Sequence, residues 1–237
     1  VSFELGVAEL GGTSVVLHGN EMQSSRGESE GDTGRVLSRY VAAIVIRSGS
    51  HENVVELADG SDVPVINALT PRFHPCQALA DLLTLKERFG GLAGLKVAYV
   101  GDGNNVARSL AVAGSLVGVE VAVAAPEGYQ LEREVPALLT SDPHEAVRHA
   151  DAIYGDVWVS MGDEATAERR RADLEPYRID SELLDAARPG AVAMHCLPAH
   201  PGEEITAEVL YGDRSAVWDQ AENRLHAQKA LLEYLLS

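Results

Sequence analysis

Arg47, His74, Gln77, Asn105, Asp156, Ser160, Cys196 and Arg224 are the residues of this chain whose types could do chemistry together. The set offers guanidinium groups and an imidazole for an anionic group, amides, a hydroxyl and a carboxylate for a small polar ligand such as an amino acid, and a thiol. It has no His, Cys and carboxylate spacing that suits a metal, no Ser-His-Asp order and no lysine placed for a Schiff base. What remains is a two-substrate transfer governed by positioning and charge. Each residue also has a bland reading: a surface ion pair for Arg47, a helix cap for His74, a small core hydrophobe for Cys196.

Such residues act together only if the fold brings them to one place. Pro75 suits a first helical position, Leu79, Leu82, Leu83 and Phe89 recur at helical spacing, and Gly90-Gly91 supplies a stop, so the sequence predicts one helix presenting His74 and Gln77 from its first turn. Free backbone N–H groups there favour an anion. Before it, the pattern predicts an amphipathic helix at Val1–Leu10, a short buried strand at 13–17, a polar loop at 19–29, a helix at 32–40, a strand at 42–46 ending on Arg47, a helix at 51–58 and a strand at 64–67.

After it, strand 95–100, the turn Gly101-Asp102-Gly103-Asn104-Asn105, an Ala/Leu/Val-rich helix and strand 120–124 form a βαβ signature. The turn lacks the third glycine of a dinucleotide fingerprint, so its Asn side chains are read as facing a small polar ligand. A helix at 142–150, a strand at 152–157, a solvated helix or flap at 163–174, a helix capped by Ser181 and running to Arg188, and a strand at 191–194 leading to Cys196 follow. A last strand at 216–219 is expected to lead to Arg224 and a terminal helix. Doubly wound sheets gather such strand ends in one crevice.

Composition narrows the classes. The 237 residues carry 36 acidic against 19 basic side chains, a net charge of −17, which argues against nucleic acid or an anionic membrane as partner. An anionic substrate therefore needs a local cluster of Arg and His. Two cysteines, Cys76 and Cys196, with neither a signal peptide nor a long apolar run, fit a reduced, cytoplasmic setting. The chain opens at Val1 without Met, already inside an expected helix, so a segment upstream of Val1 is expected.

Four motifs carry a resemblance. His74-Pro75-Cys76-Gln77, Asp156-Val157-Trp158 with Ser160-Met161-Gly162, His195-Cys196-Leu197-Pro198 and Ala221-Glu222-Asn223-Arg224 resemble, in order and along nearly the whole chain, the motifs of the ornithine carbamoyltransferases. The resemblance implies carbamoyl phosphate plus L-ornithine giving L-citrulline and phosphate in arginine biosynthesis, with no cofactor and no metal. It implies an α/β fold of two doubly wound parallel-sheet domains joined by a linking helix, the C-terminal helix packing back on the first domain. The expected division is a carbamoyl-phosphate-binding domain at 1–73, lacking its N-terminal part, the interdomain helix at 74–90, an ornithine-binding domain at 91–219 and the returning helix at 220–237.

By the same resemblance, Arg47, His74, Gln77 and Arg224 hold carbamoyl phosphate, with the Leu197 carbonyl near its NH2 group and Gln23 reaching a neighbouring subunit's carbamoyl phosphate. Asn105, Asp156, Ser160 and the Met161 backbone grip the α-amino and α-carboxylate groups of ornithine, and Cys196 lies beside the attacking amine. The catalytic set is Cys196, Asp156, Arg224 and His74. A nearby carboxylate and thiol suit an amine that must lose its proton to attack. A homotrimer, or a multiple of it, is implied, with sites at subunit interfaces.

The sequence departs from the family pattern in three places. The family's Ser-Thr-Arg-Thr-Arg phosphate motif would directly precede Val1, and a polypeptide beginning at Val1 is expected to be inactive. The stretch between Glu134 and Asp142 is shorter than expected, where a helix and a strand usually fit, and Pro201 stands where a basic residue is common. The alternatives are a sister carbamoyltransferase acting on another amine, a non-catalytic paralogue without the phosphate motif, and a nicotinamide-binding oxidoreductase based on Gly101-x-Gly103 and Glu127.

Overall fold

The computed structural model describes residues 1–18, 28–160 and 164–237. These form two compact units, Val1–Cys76 with Arg224–Ser237, and Gln77–Asn223.

The larger unit is built on near-continuous apolar runs, the signature of strands buried on both faces. Strands β3 (Lys96–Val100), β4 (Glu120–Ala124), β5 (Leu138–Thr140), β6 (Ala152–Gly155) and β7 (Val192–His195) pair in the order β5-β4-β3-β6-β7. All these pairings are parallel. Alternate side chains feed two cores. Val97, Tyr99, Val121, Tyr154 and Met194 pack with Leu82 and Leu85 of α4 (Pro75–Phe89) and Leu110 of α5 (Asn105–Val117). On the opposite face Ala98, Val100, Ala122, Ile153 and Ala193 meet Val147 of α6 (Pro143–Val147), Leu183 of α8 (Ser181–Asp185) and Val209 of α9 (Ala207–Tyr211). Each fully buried large aliphatic side chain contributes about 1.5–3 kcal/mol. The chain leaves β3 toward one side of the sheet and β6 toward the other, so the topological switch point lies between their carboxyl ends, where open α/β sheets hold ligands.

The smaller unit pairs β1 (Ile44–Arg47) with β2 (Val65–Leu69) in parallel, with a register shift between Ile46 and Arg47. Helices α2 (Glu30–Leu37) and α3 (His51–Gly60) approach backbone to backbone. A Cβ on Gly60 would stand 2.2 Å from the Gly31 carbonyl oxygen, and one on Gly34 would stand 2.4 Å from that of Leu57. Only glycine permits this contact. Ile66, Cys76 and Leu232 form a small core with Phe3 and Val7 of α1 (Ser2–Glu9) and with Leu231 and Leu235 of α10 (Val217–Leu236).

Several expectations are corrected. Residues 13–17 form no strand; Val15, Val16 and Leu17 are exposed, and extended backbone becomes a strand only where another strand takes up its N–H and C=O groups. Residues 217–219 begin α10 instead of forming a strand, so a helix and not a last strand leads to Arg224. Val217, Gln220, Asn223 and Ala227 are buried at helical spacing, and a four-residue apolar run alone could not separate the two periods. Ser181 is the first residue of α8, not its cap: the Asp180 carboxylate accepts the Leu183 N–H, and the helix stops at Asp185, short of Arg188. The short stretch after Glu134 holds β5 without a helix. The segment expected to be a solvated helix or flap is a 3-10 turn at Glu164–Thr166 followed by the largely exposed helix α7 (Ala167–Leu174), in keeping with the helix reading, and it is tied down at two points. Leu174 is fully buried, and Arg170 pairs with Asp102 at 3.2 Å, both side chains largely covered.

Candidate active site

The smaller unit gathers the cations. Arg47 ends β1, and Arg224 projects from α10. His74 precedes α4, delivered by a turn in which the Thr70 N–H donates to the Phe73 carbonyl at 2.8 Å and the Phe73 N–H donates to the Thr70 hydroxyl at 3.1 Å. Arg224 Nη1 stands 3.5 Å from His74 Nε2, and because a guanidinium can only donate, Nε2 is the accepting nitrogen. Burial first, then the charges of Arg224 and Arg47, push the His74 pKa down from 6.5 to about 3. The imidazole is therefore neutral in ordinary buffers. The arrangement thus places two permanent cations around a neutral imidazole, which suits a phosphate and a carbonyl oxygen. Cys76 lies behind it, its thiol donating to the Asn67 carbonyl at 3.4 Å, with burial raising its pKa to about 11 against the opposing pull of Arg224. It is a structural thiol.

The larger unit holds the second set. Asp156 stands just past the end of β6, and Cys196 just past β7. The Cys196 Sγ donates to Asp156 Oδ1 at 2.9 Å, and the Val157 N–H donates to the same oxygen at 2.8 Å. Asn105 opens α5 from the β3 side of the switch point, and Ser160 closes the loop after β6; both are half-buried. Gln23 and Met161 lie outside the described residues.

The turn that carries Cys196 is fixed from behind. The Leu197 N–H donates to His195 Nδ1 at 2.9 Å, which makes Nδ1 the unprotonated nitrogen and leaves the proton on Nε2, 3.2 Å from the buried Glu204 carboxylate. Leu197 adopts φ +58°, an uncommon backbone for a non-glycine residue, and the Leu197–Pro198 peptide is cis. The His195 N–H donates at 2.8 Å to Gln220. The Gln220 amide in turn donates at 2.7 Å to Asp81, a fully buried carboxylate that also accepts from Gln77 at 2.9 Å and from the Tyr154 hydroxyl at 3.2 Å. Since an ionised carboxylate only accepts, the Gln77 amide is oriented with its NH2 group toward Asp81 and its carbonyl away.

Sequence reasoning missed Asn104, Tyr99, Tyr154, Asp81, Gln220 and Glu204. The Asn side chains of the Gly101 turn were expected to face a ligand, but Asn104 is turned inward. It caps α5 and touches both Tyr99 and Asp156. The i, i+4 spacing of Gln77 and Asp81 on one helix was the available signal for Asp81. Gln220 was hidden by the misread strand. Tyr99 and Tyr154 stack at 5.5 Å between ring centroids and are fully buried. Burial, helped by Asp156 for Tyr99 and by Asp81 for Tyr154, raises both pKa values well above the usual phenol range, so both act as donors. Among the described residues no group of three or more His, Cys or carboxylate side chains is arranged to hold a metal ion. No helix among them is long and apolar enough to cross a membrane.

Comparison with known proteins agrees along the whole chain. Residues 1–87 match the aspartate/ornithine carbamoyltransferase carbamoyl-P binding domain, and residues 93–235 match the Asp/Orn binding domain of the same family. The chain is 53% identical over 246 residues to an ornithine carbamoyltransferase of Methanoculleus marisnigri, covering all of this chain and 80% of that protein. It is 51% identical over 249 residues to one of Bacillus subtilis, covering all of this chain and 78% of that protein. Among solved structures, the ornithine carbamoyltransferase of Pyrococcus furiosus superposes with a TM-score of 0.94 at 50% identity, covering 99% of this chain and 79% of that one. That of Thermus thermophilus gives a TM-score of 0.92 at 47% identity, covering 100% and 81%. With both domain descriptions matched in order and half of all positions shared with such relatives, this chain belongs to the aspartate/ornithine carbamoyltransferase family.

Proposed function

We infer that the protein transfers the carbamoyl group of carbamoyl phosphate to the δ-amine of L-ornithine, giving L-citrulline and phosphate, a step of arginine biosynthesis. The observation that carries the reading is the Cys196 thiol held against Asp156 at 2.9 Å past the ends of two strands, in a chain whose relatives are ornithine carbamoyltransferases.

In this reading Arg47 and Arg224 bind the phosphate, and His74 and Gln77 orient the carbamoyl group, whose NH2 meets the Leu197 carbonyl. Two cations draw charge toward the phosphate as the C–O bond breaks, stabilising the leaving group. The α-amino group of ornithine pairs with Asp156, and its α-carboxylate takes donors from Asn105, Ser160 and the Met161 backbone. The δ-amine gives one proton to solvent and attacks the carbonyl carbon as the neutral amine, and the tetrahedral intermediate collapses as the C–O bond to phosphate breaks, the second proton of the nitrogen leaving on the phosphate. Cys196 lies beside the attacking nitrogen, and its pairing with Asp156 gives the departing proton a polar neighbourhood. Neither a cofactor nor a metal is needed for this chemistry. The protein acts as a homotrimer or a multiple of it in the cytoplasm, with Gln23 reaching the carbamoyl phosphate of a neighbouring subunit.

The test is citrulline-type product formation by the purified full-length protein with ornithine, putrescine and lysine in parallel. Ornithine is expected to give the highest kcat/KM, because putrescine lacks the α-carboxylate. A better rate with another amine would move the assignment to a sister carbamoyltransferase, and no turnover with any would sink the enzymatic reading. Mass-resolved gel filtration tests the assembly.

A further inference from the structure

The Asn104 side chain makes more bonds than a helix cap requires. Its Oδ1 accepts the N–H groups of Val106 at 2.9 Å and Ala107 at 3.3 Å, and the Tyr99 hydroxyl at 3.1 Å. Its Nδ2 donates to Asp156 Oδ2 at 2.6 Å. These partners fix the amide in one orientation. Turned over, its NH2 would face the backbone donors and its oxygen would face a carboxylate. Serine and aspartate cap helices as well as asparagine does. Only an amide, however, joins a cap oxygen to an N–H aimed the opposite way.

The consequence reaches the reacting groups. Asp156 Oδ2 is held by Asn104, and Oδ1 takes the Val157 N–H and the Cys196 thiol. We propose that Asn104 is a positioning residue that couples the start of α5 to the Asp156–Cys196 pair, fixing the rotamer of the carboxylate that receives ornithine and the direction of the thiol. It touches no substrate in this scheme. The proposal rests on the carbamoyltransferase reading for its kinetic part and on geometry alone for the thiol.

The titratable groups around Asp156 are Cys196 from the turn after β7, Tyr99 from β3 and Tyr154 from β6, with Asp81 behind Tyr154 and Asp102, paired with Arg170, in the turn before Asn104. Replacing the amide N–H by an oxygen adds a second carboxylate to this group. Two carboxylates sharing one site titrate with the upper step raised.

Two variants separate capping from positioning. Asn104→Asp keeps the cap oxygen and sets a carboxylate against Asp156. Asn104→Ser keeps the cap and removes the donor to Asp156. Melting curves report whether each variant folds, and steady-state kinetics are taken against pH for each substrate. Alkylation of Cys196 by iodoacetamide is followed against pH by peptide mass, with buried Cys76 as the unreactive reference. For Asn104→Asp the acid limb of kcat/KM for ornithine and the alkylation profile are both expected to move up by about one pH unit or more. For Asn104→Ser the KM for ornithine is expected to rise about tenfold or more with that for carbamoyl phosphate unchanged, the loss of one charged hydrogen bond. If Asn104→Asp fails to fold, the serine variant decides. Alkylation profiles that coincide in wild type and both variants, or KM values that rise equally for both substrates, overturn the proposal. A wild type that forms no citrulline sinks the functional reading instead, and the alkylation profiles still decide the role of Asn104.

Discussion

His74 gives a pH dependence that can be worked out in advance. Its pKa is 6.5 in an unfolded chain and about 3 in the folded protein, where burial and then Arg224 and Arg47 disfavour the imidazolium. Between these values the unfolded chain binds a proton that the folded one refuses, so acid favours unfolding. The neutral histidine costs nothing above pH 6.5, and stability is lost progressively as the pH falls from there toward 3. Integrated from pH 8 to pH 5, the loss from this one group is about 2 kcal/mol. His74→Gln keeps a polar side chain and removes the titration. Urea unfolding of both proteins at pH 8, 6.5 and 5 is expected to show the stability difference between them shifting by about 2 kcal/mol in favour of the variant at the acid end. The other titrating groups are common to both proteins and cancel. Arg224→Gln removes one of the opposing charges, raises the folded-state pKa of His74 and shrinks the effect, while burial, the larger cause, keeps it from vanishing. Parallel stability curves for wild type and His74→Gln would refute the neutral, cation-flanked imidazole and with it the division of roles in the phosphate half.

Gly60→Ala places a methyl group 2.2 Å from the Gly31 carbonyl oxygen, so α3 must move off α2. A loss of at least about 1–3 kcal/mol is expected, read as a lower Tm, with no change in the substrate preference of the residual activity. Gln77, Gln220 and Tyr154 all donate to Asp81 Oδ1, so Asp81→Asn keeps an accepting oxygen for the three but removes the charge that strengthens these buried bonds, at about 1–3 kcal/mol. It should also raise the KM for carbamoyl phosphate by weakening the bond that orients the Gln77 amide, and an unchanged KM would remove Gln77 from that site.

Much of the fold was legible because its signals are local. Pro75 and Gly90-Gly91 bracket α4, the 95–124 stretch is a βαβ unit in its apolar pattern alone, and both stand where they were expected. The two misread strands share one cause. Residues 13–17 and 216–219 are short apolar runs, and whether such a run becomes strand, helix or open chain depends on partners distant in sequence. The candidate site divides the same way. Asp156 and Cys196 were readable as strand ends, and their contact agrees with a shared role. What holds them was not readable: nothing local tells which of the adjacent Asn104 and Asn105 caps α5 and reaches Asp156, and Glu204 and Gln220 reach His195 from elements far along the chain.

The two outer strands of the five-stranded sheet bear on how this protein avoids sticking to itself. β5 has three residues, too few to recruit a foreign strand along much length. On the other side, Ala193 of β7 gives its N–H to the Arg214 carbonyl and its C=O to the Ala216 N–H, so the ladder positions a stray chain would need there are already used by the segment leading into α10. A strand that opens to solvent is a template for aggregation. Strand addition at this side of the larger sheet should therefore require unravelling around residues 214–216, and substitutions that loosen that segment are expected to cost solubility before they cost catalysis.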